Sequence, residues 1–294
     1  MSQRVAVITG AGRGIGAAVA ELLAAQGLAV VVNDLGSALD GSGADPGPAA
    51  AVAERIRRAG GRAIHDSGDV ADHAVAGRLV QRARAEFGRL DVLVNVAGIL
   101  RDRMIFNMTE QEWDAVIRVH LRGTFNTTRH AAAHWRTVPP SQPADPSPHR
   151  RIINFTSVSG LRGAAGQPNY AAAKMGIVGL TYSCANALAR FGVTVNAVSP
   201  GAVTRMTDTM PTEKRASNLA AEMTPENVAP LVGYLASEAS DWLTGQVVSA
   251  EGLEIGLYNR PEQIRTVRST EPWTAEGIAA AIESSFRPAV EGRR

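Results

Sequence analysis

The chain has 294 residues, 45% of them hydrophobic, with 30 basic residues against 28 acidic ones for a formal net charge of +2. That length and apolar content suit one large domain with a sizeable core, and a near balance of charge with no dense basic patch interleaved with aromatics argues against a nucleic-acid partner. No apolar run reaches the ~18 residues of a membrane helix, no charged segment followed by an apolar one opens the chain, and the single Cys184 excludes an internal disulfide, so a soluble, cytoplasmic protein with no membrane partner is expected.

Residues Arg4 to Thr9 form an apolar run suited to a buried parallel strand. It enters Gly10-Ala11-Gly12-Arg13-Gly14-Ile15-Gly16. A helical pattern of Ala18, Val19, Leu22 and Leu23 follows and closes at Gly27, and Leu28 to Asp34 reads as the second strand. Strand, glycine turn, helix and strand in that order are the context a dinucleotide fingerprint requires. The glycines let the backbone approach a pyrophosphate, and the helix N-terminus favours its charge. Asp34 stands where a carboxylate accepts hydrogen bonds from a ribose diol and repels a 2′-phosphate. Arg13, in the turn, pulls the other way, since a cation there can serve that phosphate. Because Arg13 sits on an exposed turn, Asp34 should win, and NAD is the expected cofactor.

Residues 36–48 form a Gly/Ser/Pro-rich loop expected to be mobile and exposed. A helix over 49–59, a strand over 62–67, a helix ending near Phe87 and a strand from Asp91 to Asn95 come next. Asp69-Val70 either bounds an adenine pocket or caps a helix. Asn95-Val96-Ala97-Gly98 ends the fourth strand at the sheet's carboxyl edge, where open α/β sheets bind ligands. Thr109 with Glu112 has the spacing of a capping box opening a long helix. Five prolines lie in residues 138–149, which therefore cannot be helix interior or central strand and read as a surface insert.

Residues Arg151 to Thr156 resume the sheet and lead into Ser157 and then Tyr170-Ala-Ala-Ala-Lys174. Pro168 suits a first helical turn, and Tyr170 and Lys174 lie one turn apart on one face. An ammonium beside a phenol favours the phenolate, which turns the phenol into a proton exchanger near neutral pH. Ser157 can hydrogen-bond the same substrate oxygen. Together they suit carbonyl reduction or alcohol oxidation. Lysine is scarce in this chain, only Lys174 and Lys214 among 30 basic residues. Its presence at this position, where arginine is a poor substitute, sharpens the reading. The next strand runs from Val193 to Val198 and ends in Ser199-Pro200-Gly201. Residues 202–223 carry Met206, Met210, Leu219 and Met223, either an apolar cover over a substrate or a packed surface helix. Thr224-Pro225-Glu226 starts a helix and Gln246 to Ser249 is the last expected strand. In the tail, Thr274 caps a short helix with Ile278, Ile282 and Phe286 on one face.

Taken as a set, Thr9-Gly10-x-x-x-Gly14-Ile15-Gly16, Asn95-x-Ala97-Gly98, Ser157, Tyr170-x-x-x-Lys174 and Pro200-Gly201 resemble the short-chain dehydrogenase/reductase family over about residues 4–257. The resemblance implies an α/β, Rossmann-like, doubly wound seven-stranded parallel sheet in a single domain over 1–257, with a C-terminal extension over 258–294. It implies that Tyr170 is the acid/base, that Lys174 lowers its pKa and holds the nicotinamide ribose, and that Ser157 orients the substrate oxygen. His120 stands where the family usually carries an active-site asparagine. The cofactor site it implies draws on Gly10, Gly12, Arg13, Gly14, Ile15, Gly16, Asp34, Asp69, Val70, Asn95, Ala97, Gly98, Tyr170, Lys174, Pro200, Gly201 and Val203, with no metal. Asn33-Asp34-Leu35-Gly36, Arg101-Asp102-Arg103, Val119-His120-Leu-Arg-Gly123 and Thr204-Arg205-Met206-Thr207 resemble the dehydrogenase part of D-bifunctional hydratase–dehydrogenases and their bacterial relatives. That narrower likeness implies a (3R)-3-hydroxyacyl-CoA substrate with a fatty or steroid-derived acyl group. A 3-oxoacyl-carrier-protein reductase and a hydroxysteroid dehydrogenase are the alternatives, with a non-catalytic dinucleotide sensor a distant third. The small residues Ala171, Ala172, Ala173, Gly176 and Gly179 on one long helix, and the family's habit of packing that helix across subunits, imply a homodimer or homotetramer.

Overall fold

The computed structural model describes residues 3–138, 149–202 and 223–292. Strands β1 (Val5–Thr9) and β2 (Ala29–Asn33) are buried at every residue, as parallel strands covered on both faces must be. They join β3 (Ala63–Asp66), β4 (Val92–Asn95), β5 (Arg150–Phe155), β6 (Val193–Gly201) and β7 (Val247–Glu251) in the order β3-β2-β1-β4-β5-β6-β7, all parallel. An eighth strand, β8 (Glu254–Leu257), runs antiparallel to β7 at the sheet's edge and corrects the expectation of seven. Glu251 pairs with Glu254, which leaves Gly252 and Leu253 as the turn, and Gly252 takes a φ of 59°. The alternation of Leu253, Ile255 and Leu257 was the available signal, but those side chains face outward, so no buried run announces the strand.

Side chains alternate between the two faces of the sheet. Ala6 and Ile8 belong to one apolar cluster with α1 (Gly14–Ala25), α2 (Gly47–Arg58) and α8 (Pro225–Ala236). Val5 and Val7 belong to a second with α3 (His73–Phe87), α5 (Gly123–Thr137) and α7 (Pro168–Leu188). Strand order reverses between β1 and β4, which opens a crevice at their carboxyl ends. The Thr109–Glu112 capping box opens α4 (Glu110–Ile117) as its spacing predicts, with Glu112 N donating to Thr109 Oγ1 at 3.2 Å. Between α4 and α5 the helix widens into a π-turn over Arg118–Arg122, a feature that periodicity does not announce.

The loop after β2 is not a loose excursion. Asp45 N donates to Leu35 O, Ala38 N to Ser42 O, and Leu100 N to Leu39 O at 3.0 Å, so the loop is folded on itself and fastened to the segment after β4. The Pro-rich insert falls almost wholly outside the described residues, as do Val203, the Thr204–Thr207 segment, Met206, Met210 and Leu219. Contacts divide the chain after Tyr258. In the second unit Thr274 caps α9 (Ala275–Ala281) by accepting from Gly277 N, and a π-turn over Ile282–Phe286 leads into α10 (Arg287–Glu291).

Candidate active site

The glycine turn between β1 and α1 shapes the first half of the site. A Cβ on Gly16 would lie 2.2 Å from Gly10 O, so only glycine lets the turn close this tightly. Arg13, the residue before α1, offers no side-chain cap, which leaves first-turn N–H groups free for an anion. Asp34 follows β2 and accepts from Gly12 N at 2.8 Å through one oxygen and from Gly36 N at 2.7 Å through the other. Gly12 is thus a support for Asp34. Arg13 is exposed, and its guanidinium donates to the Ser37 carbonyl at 3.4 Å. A cleft of about 400 Å³ is lined by Gly10, Arg13, Gly14, Ile15 and Gly16, by Asp34, by Asp69 and Val70, and by Ala97 and Gly98. An uncapped helix N-terminus, glycines a Cβ would displace and a carboxylate held at the ribose position fit a nicotinamide dinucleotide.

Several expected cofactor residues are not among those lining this cleft. Asn95 is buried, its amide donating to Asn154 Oδ1 at 2.9 Å while its carbonyl accepts from Thr127 Oγ1 at 2.7 Å. It ties β4 to β5 and α5 and does not line the cleft. Pro200 and Gly201 close β6, with Gly201 against Glu251, and are not among the residues lining this cleft. Asp69 does not cap α3, a role that Asp72 fills by accepting from Val75 N. Instead it pairs with Arg118 of the π-turn at 2.5 Å and lines the cleft. Residues that sequence reasoning missed also line it, among them Ser37, Gly41, Ile99 and Arg118. The loop residues gave no signal because a Gly/Ser-rich stretch reads as solvent-exposed.

Ser157, Tyr170, Lys174 and His120 come together at the carboxyl end of β5. Ser157 ends that strand's run and caps α6 (Val158–Arg162), accepting from Ser159 N at 3.1 Å. Tyr170 and Lys174 lie in the first two turns of α7. Lys174 is buried, its Nζ donating to Phe155 O at 2.8 Å and standing 5.5 Å from the Tyr170 ring centroid. The His120 ring, held inward by the π-turn, meets the Tyr170 ring edge-on at 5.1 Å. A Cβ on Gly98 would fall 2.2 Å from His120 Cε1, so that glycine makes room for the imidazole. His120 Nε2 contacts Ile99 N and O, and its buried Nδ1 has no partner among the described residues.

Burial sets the protonation of these groups. It pushes the Tyr170 phenol up to about 12, helped by the negative charge of Asp102 and opposed by the hydrogen bond to Ser157. It pushes the Lys174 ammonium down to about 7. His120 is driven to about 3 by burial and by the neighbouring Lys174, so its imidazole is neutral at physiological pH. The expected depression of the phenol by Lys174 is therefore absent in the protein alone. Desolvation outweighs an ammonium whose own charge is destabilised, and the phenol needs further positive charge to ionise at neutral pH.

A cleft at the strand-order reversal and a Ser–Tyr–Lys cluster beside it define a dehydrogenase of the Rossmann-like class. The chain belongs to the short-chain dehydrogenase family, whose model, described as short chain dehydrogenase, matches residues 4–217. It is an oxidoreductase acting on CH–OH groups. It is 42% identical over 290 residues to hydroxyacyl-CoA dehydrogenase ChsB1 of Mycobacterium tuberculosis, a match that covers 97% of this chain and 89% of that one. It is 41% identical to peroxisomal multifunctional enzyme type 2 of Drosophila melanogaster, over 87% of this chain and 40% of that protein. A crystal structure of a short chain dehydrogenase from Mycobacterium avium superposes with a TM-score of 0.84 at 44% identity, covering 97% of this chain and 95% of that one.

Proposed function

We propose that this protein is an NAD-dependent dehydrogenase that interconverts a (3R)-3-hydroxyacyl-CoA and its 3-oxo form, with a fatty or steroid-derived acyl group. The observation that carries the reading is the Ser157–Tyr170–Lys174 cluster beside a dinucleotide-shaped cleft in a chain so similar, end to end, to a hydroxyacyl-CoA dehydrogenase. Gly10, Gly14, Gly16 and the start of α1 would hold the pyrophosphate, Asp34 the adenosine ribose diol, and Lys174 the nicotinamide ribose. The oxidised nicotinamide, when bound, supplies the hydride acceptor and a positive charge. Tyr170 takes the proton from the alcohol oxygen during oxidation and returns it during reduction. Ser157, whose lone pair already accepts from Ser159 N, turns its O–H from the Tyr170 oxygen to the substrate oxygen when the alcohol binds. His120 stays neutral and shapes the wall behind the phenol.

A second reading, a 3-oxoacyl-carrier-protein reductase, is favoured by 39% identity to the FabG enzyme of Staphylococcus aureus over 86% of this chain and 97% of that one. An activity screen across hydroxyacyl-CoA, carrier-protein thioester and hydroxysteroid substrates separates them. Turnover of a 3-hydroxyacyl-CoA with NAD, well above that of the carrier-protein thioester or of a hydroxysteroid, is the expected result. A clear preference for the carrier-protein substrate overturns the first reading. We place the protein in the cytoplasm as a homodimer or homotetramer. Ala172 and Gly179 on the outer side of α7 would allow close approach of a second copy, and a monomeric mass by light scattering at micromolar concentration counts against it.

A further inference from the structure

Behind the Ser157–Tyr170 pair lies a chain of polar contacts that the chemistry described above does not use. Ser159 Oγ donates to Gln167 Oε1 at 2.8 Å, and Gln167 Nε2 donates to Asp102 Oδ2 at 2.7 Å. Both ends of the Gln167 amide are engaged, which fixes its orientation. Ser159 in turn presents its N–H to Ser157 Oγ. The hydrogen bonds therefore donate in one direction, from the Ser159 hydroxyl in the turn that holds the catalytic serine, through the Gln167 amide, to the Asp102 carboxylate. Gln167 is also the residue before α7, and its carbonyl accepts from Ala171 N at 2.8 Å. One residue thus touches the serine turn with its side chain and the start of the tyrosine helix with its backbone carbonyl.

We propose that Gln167 and Asp102 are positioning residues, which fix the Ser157 turn in register with the start of the Tyr170 helix and set an anionic charge behind the phenol. The inference deepens the dehydrogenase reading and rests on it. The line reaches Ser157 through the Ser159 backbone and not through its hydroxyl, so it stiffens the placement of the turn, while the Asp102 charge acts on the phenol separately. The geometry of the reacting oxygen is sensitive to such stiffness, because a small misplacement of one donor costs rate without costing the fold.

The segment that carries Asp102 is fastened independently of its carboxylate. Arg101 Nε donates to Asp40 O at 2.8 Å, and Arg103 N donates to Gly166 O at 2.8 Å. Asn169, fully buried, donates to Arg101 O at 2.9 Å and to Glu112 O at 3.1 Å. Changing the Asp102 side chain therefore alters a charge and one hydrogen bond while the backbone stays anchored. Among the described residues, three charged or titratable groups face the phenol. Lys174 comes from its own helix, neutral His120 from the π-turn and Asp102 from the loop. The nearby guanidinium of Arg103 is bound to Glu112 at 2.9 Å, and that of Arg101 to the Asp40 carbonyl. Asp102 is the anion among those facing groups, and its charge adds to the upward push on the phenol.

Two substitutions separate the two parts of the role. Asp102→Asn removes the charge and keeps an oxygen that can accept from Gln167. Gln167→Ala keeps the charge and breaks the line. Phenolate formation is followed by ultraviolet difference absorbance with NAD present, taking the difference between each protein and its Tyr170→Phe counterpart. In parallel, kcat and KM are measured against pH with a secondary alcohol. Asp102→Asn should move the phenolate midpoint, and the rising limb of the oxidation rate, to lower pH, with plateau kcat within about threefold of the parent. Gln167→Ala should lower kcat about tenfold with the KM for NAD unchanged. An unmoved midpoint in Asp102→Asn, or parental kcat in Gln167→Ala, overturns the proposal. The absorbance titration needs no substrate. If the midpoint moves yet no hydroxyacyl-CoA is turned over, the substrate reading falls and the positioning role of Asp102 stands.

Discussion

The two ends of the sheet treat buried charge in opposite ways. At the amino end, Arg151 is only 1% exposed, yet it donates to Ser237 O at 2.8 Å and pairs with Asp241. Buried Asp91 takes Arg89 at 2.7 Å and Val5 N at 2.8 Å. Arg150 donates to the carbonyls of Trp135 and Phe191, and Arg4 to that of Ala236. At the carboxyl end, Lys174 is buried against a carbonyl rather than a carboxylate, and His120 Nδ1 and Ser199 Oγ have no partner among the described residues. Thr194 Oγ1, near the start of β6, is the exception at the other end. Burial lowers the pKa of Arg4 and Arg151 as well, but a guanidinium stays charged at neutral pH, whereas the ammonium of Lys174, brought down to about 7, can exchange its proton there. The amino end holds the fold; the carboxyl end keeps groups that the fold alone would not select.

Substitutions at the carboxyl end should therefore change rate more than stability. The largest effect is expected from Tyr170→Phe, which keeps the ring and removes the proton-transfer group. Turnover should fall by roughly 10²–10⁴-fold while calorimetry shows NAD still binding. Lys174→Met should cut turnover at least about a hundredfold and reveal the cost of the buried ammonium. Free lysine titrates near ~10.4, and Lys174 in the fold near about 7. Between those values the unfolded chain binds the extra proton, so stability rises with pH across that window and the cost is complete below it. The phenol works in reverse. Held near 12 in the fold, against ~10 when free, it keeps its proton longer when folded, so stability declines above pH ~10. Melting temperature followed from pH 6 to pH 9 should climb in the parent and lose that contribution in Lys174→Met. An unchanged slope would show that Lys174 is charged throughout.

The amino end should answer with stability alone. Asp241→Ala leaves Arg151 buried beside two carbonyl contacts. Removing one partner of a fully buried pair costs ~3–5 kcal/mol, but Asp241 is about half exposed, so about 1–3 kcal/mol is expected. Thermal unfolding should shift down by a few degrees, and kcat/KM at a temperature where the variant is folded should match the parent. A fall in kcat/KM there would mean that the two ends are coupled through β5.

What the sequence announced and what it hid divide along the same physical line. The glycine turn, Asp34 and the Tyr170–Lys174 pair are each set by residues a few positions apart, so spacing alone places them. Side-chain direction was not legible. Asn95 sits at the strand end where a ligand contact is expected, yet its amide turns inward to Asn154 and Thr127. The π-turn around His120 was hidden because apolar periodicity does not register it, and the fit of the imidazole against Gly98 is a tertiary contact. The fastening of the Gly/Ser-rich loop through Leu39 and Asp40 depends on partners some sixty residues away, Leu100 and Arg101. Strand β8 carries its apolar residues on the outside, and burial periodicity cannot register an edge strand of that kind.

The smallest expected effect concerns cofactor choice, where the amino-acid pattern is divided against itself. Arg13 belongs to the glycine turn, where a cation can serve a 2′-phosphate, and Asp34 stands where a carboxylate serves a free diol. Both Asp34 oxygens are pinned by backbone amides, from Gly12 at 2.8 Å and Gly36 at 2.7 Å, so the carboxylate cannot swing away from an approaching phosphate. Arg13 is exposed and donates to a carbonyl at 3.4 Å, so its attraction is screened by solvent and salt. An uncompensated like-charge contact costs several kcal/mol, whereas an exposed ion pair contributes only ~0–1 kcal/mol. NAD should therefore be preferred over NADP by at least about tenfold in kcat/KM, a difference of ~1.4 kcal/mol. Asp34→Ala removes the repulsion and leaves Arg13 available to the phosphate, so the gap should narrow, with most of the change in NADP. Two amides that pointed at the carboxylate lose their acceptor at the same time, so NAD should weaken as well. The check is four kcat/KM values, two cofactors with parent and variant and one alcohol throughout. Equal values in the parent, or a preference for NADP, would show that the cation in the turn outweighs the carboxylate after β2.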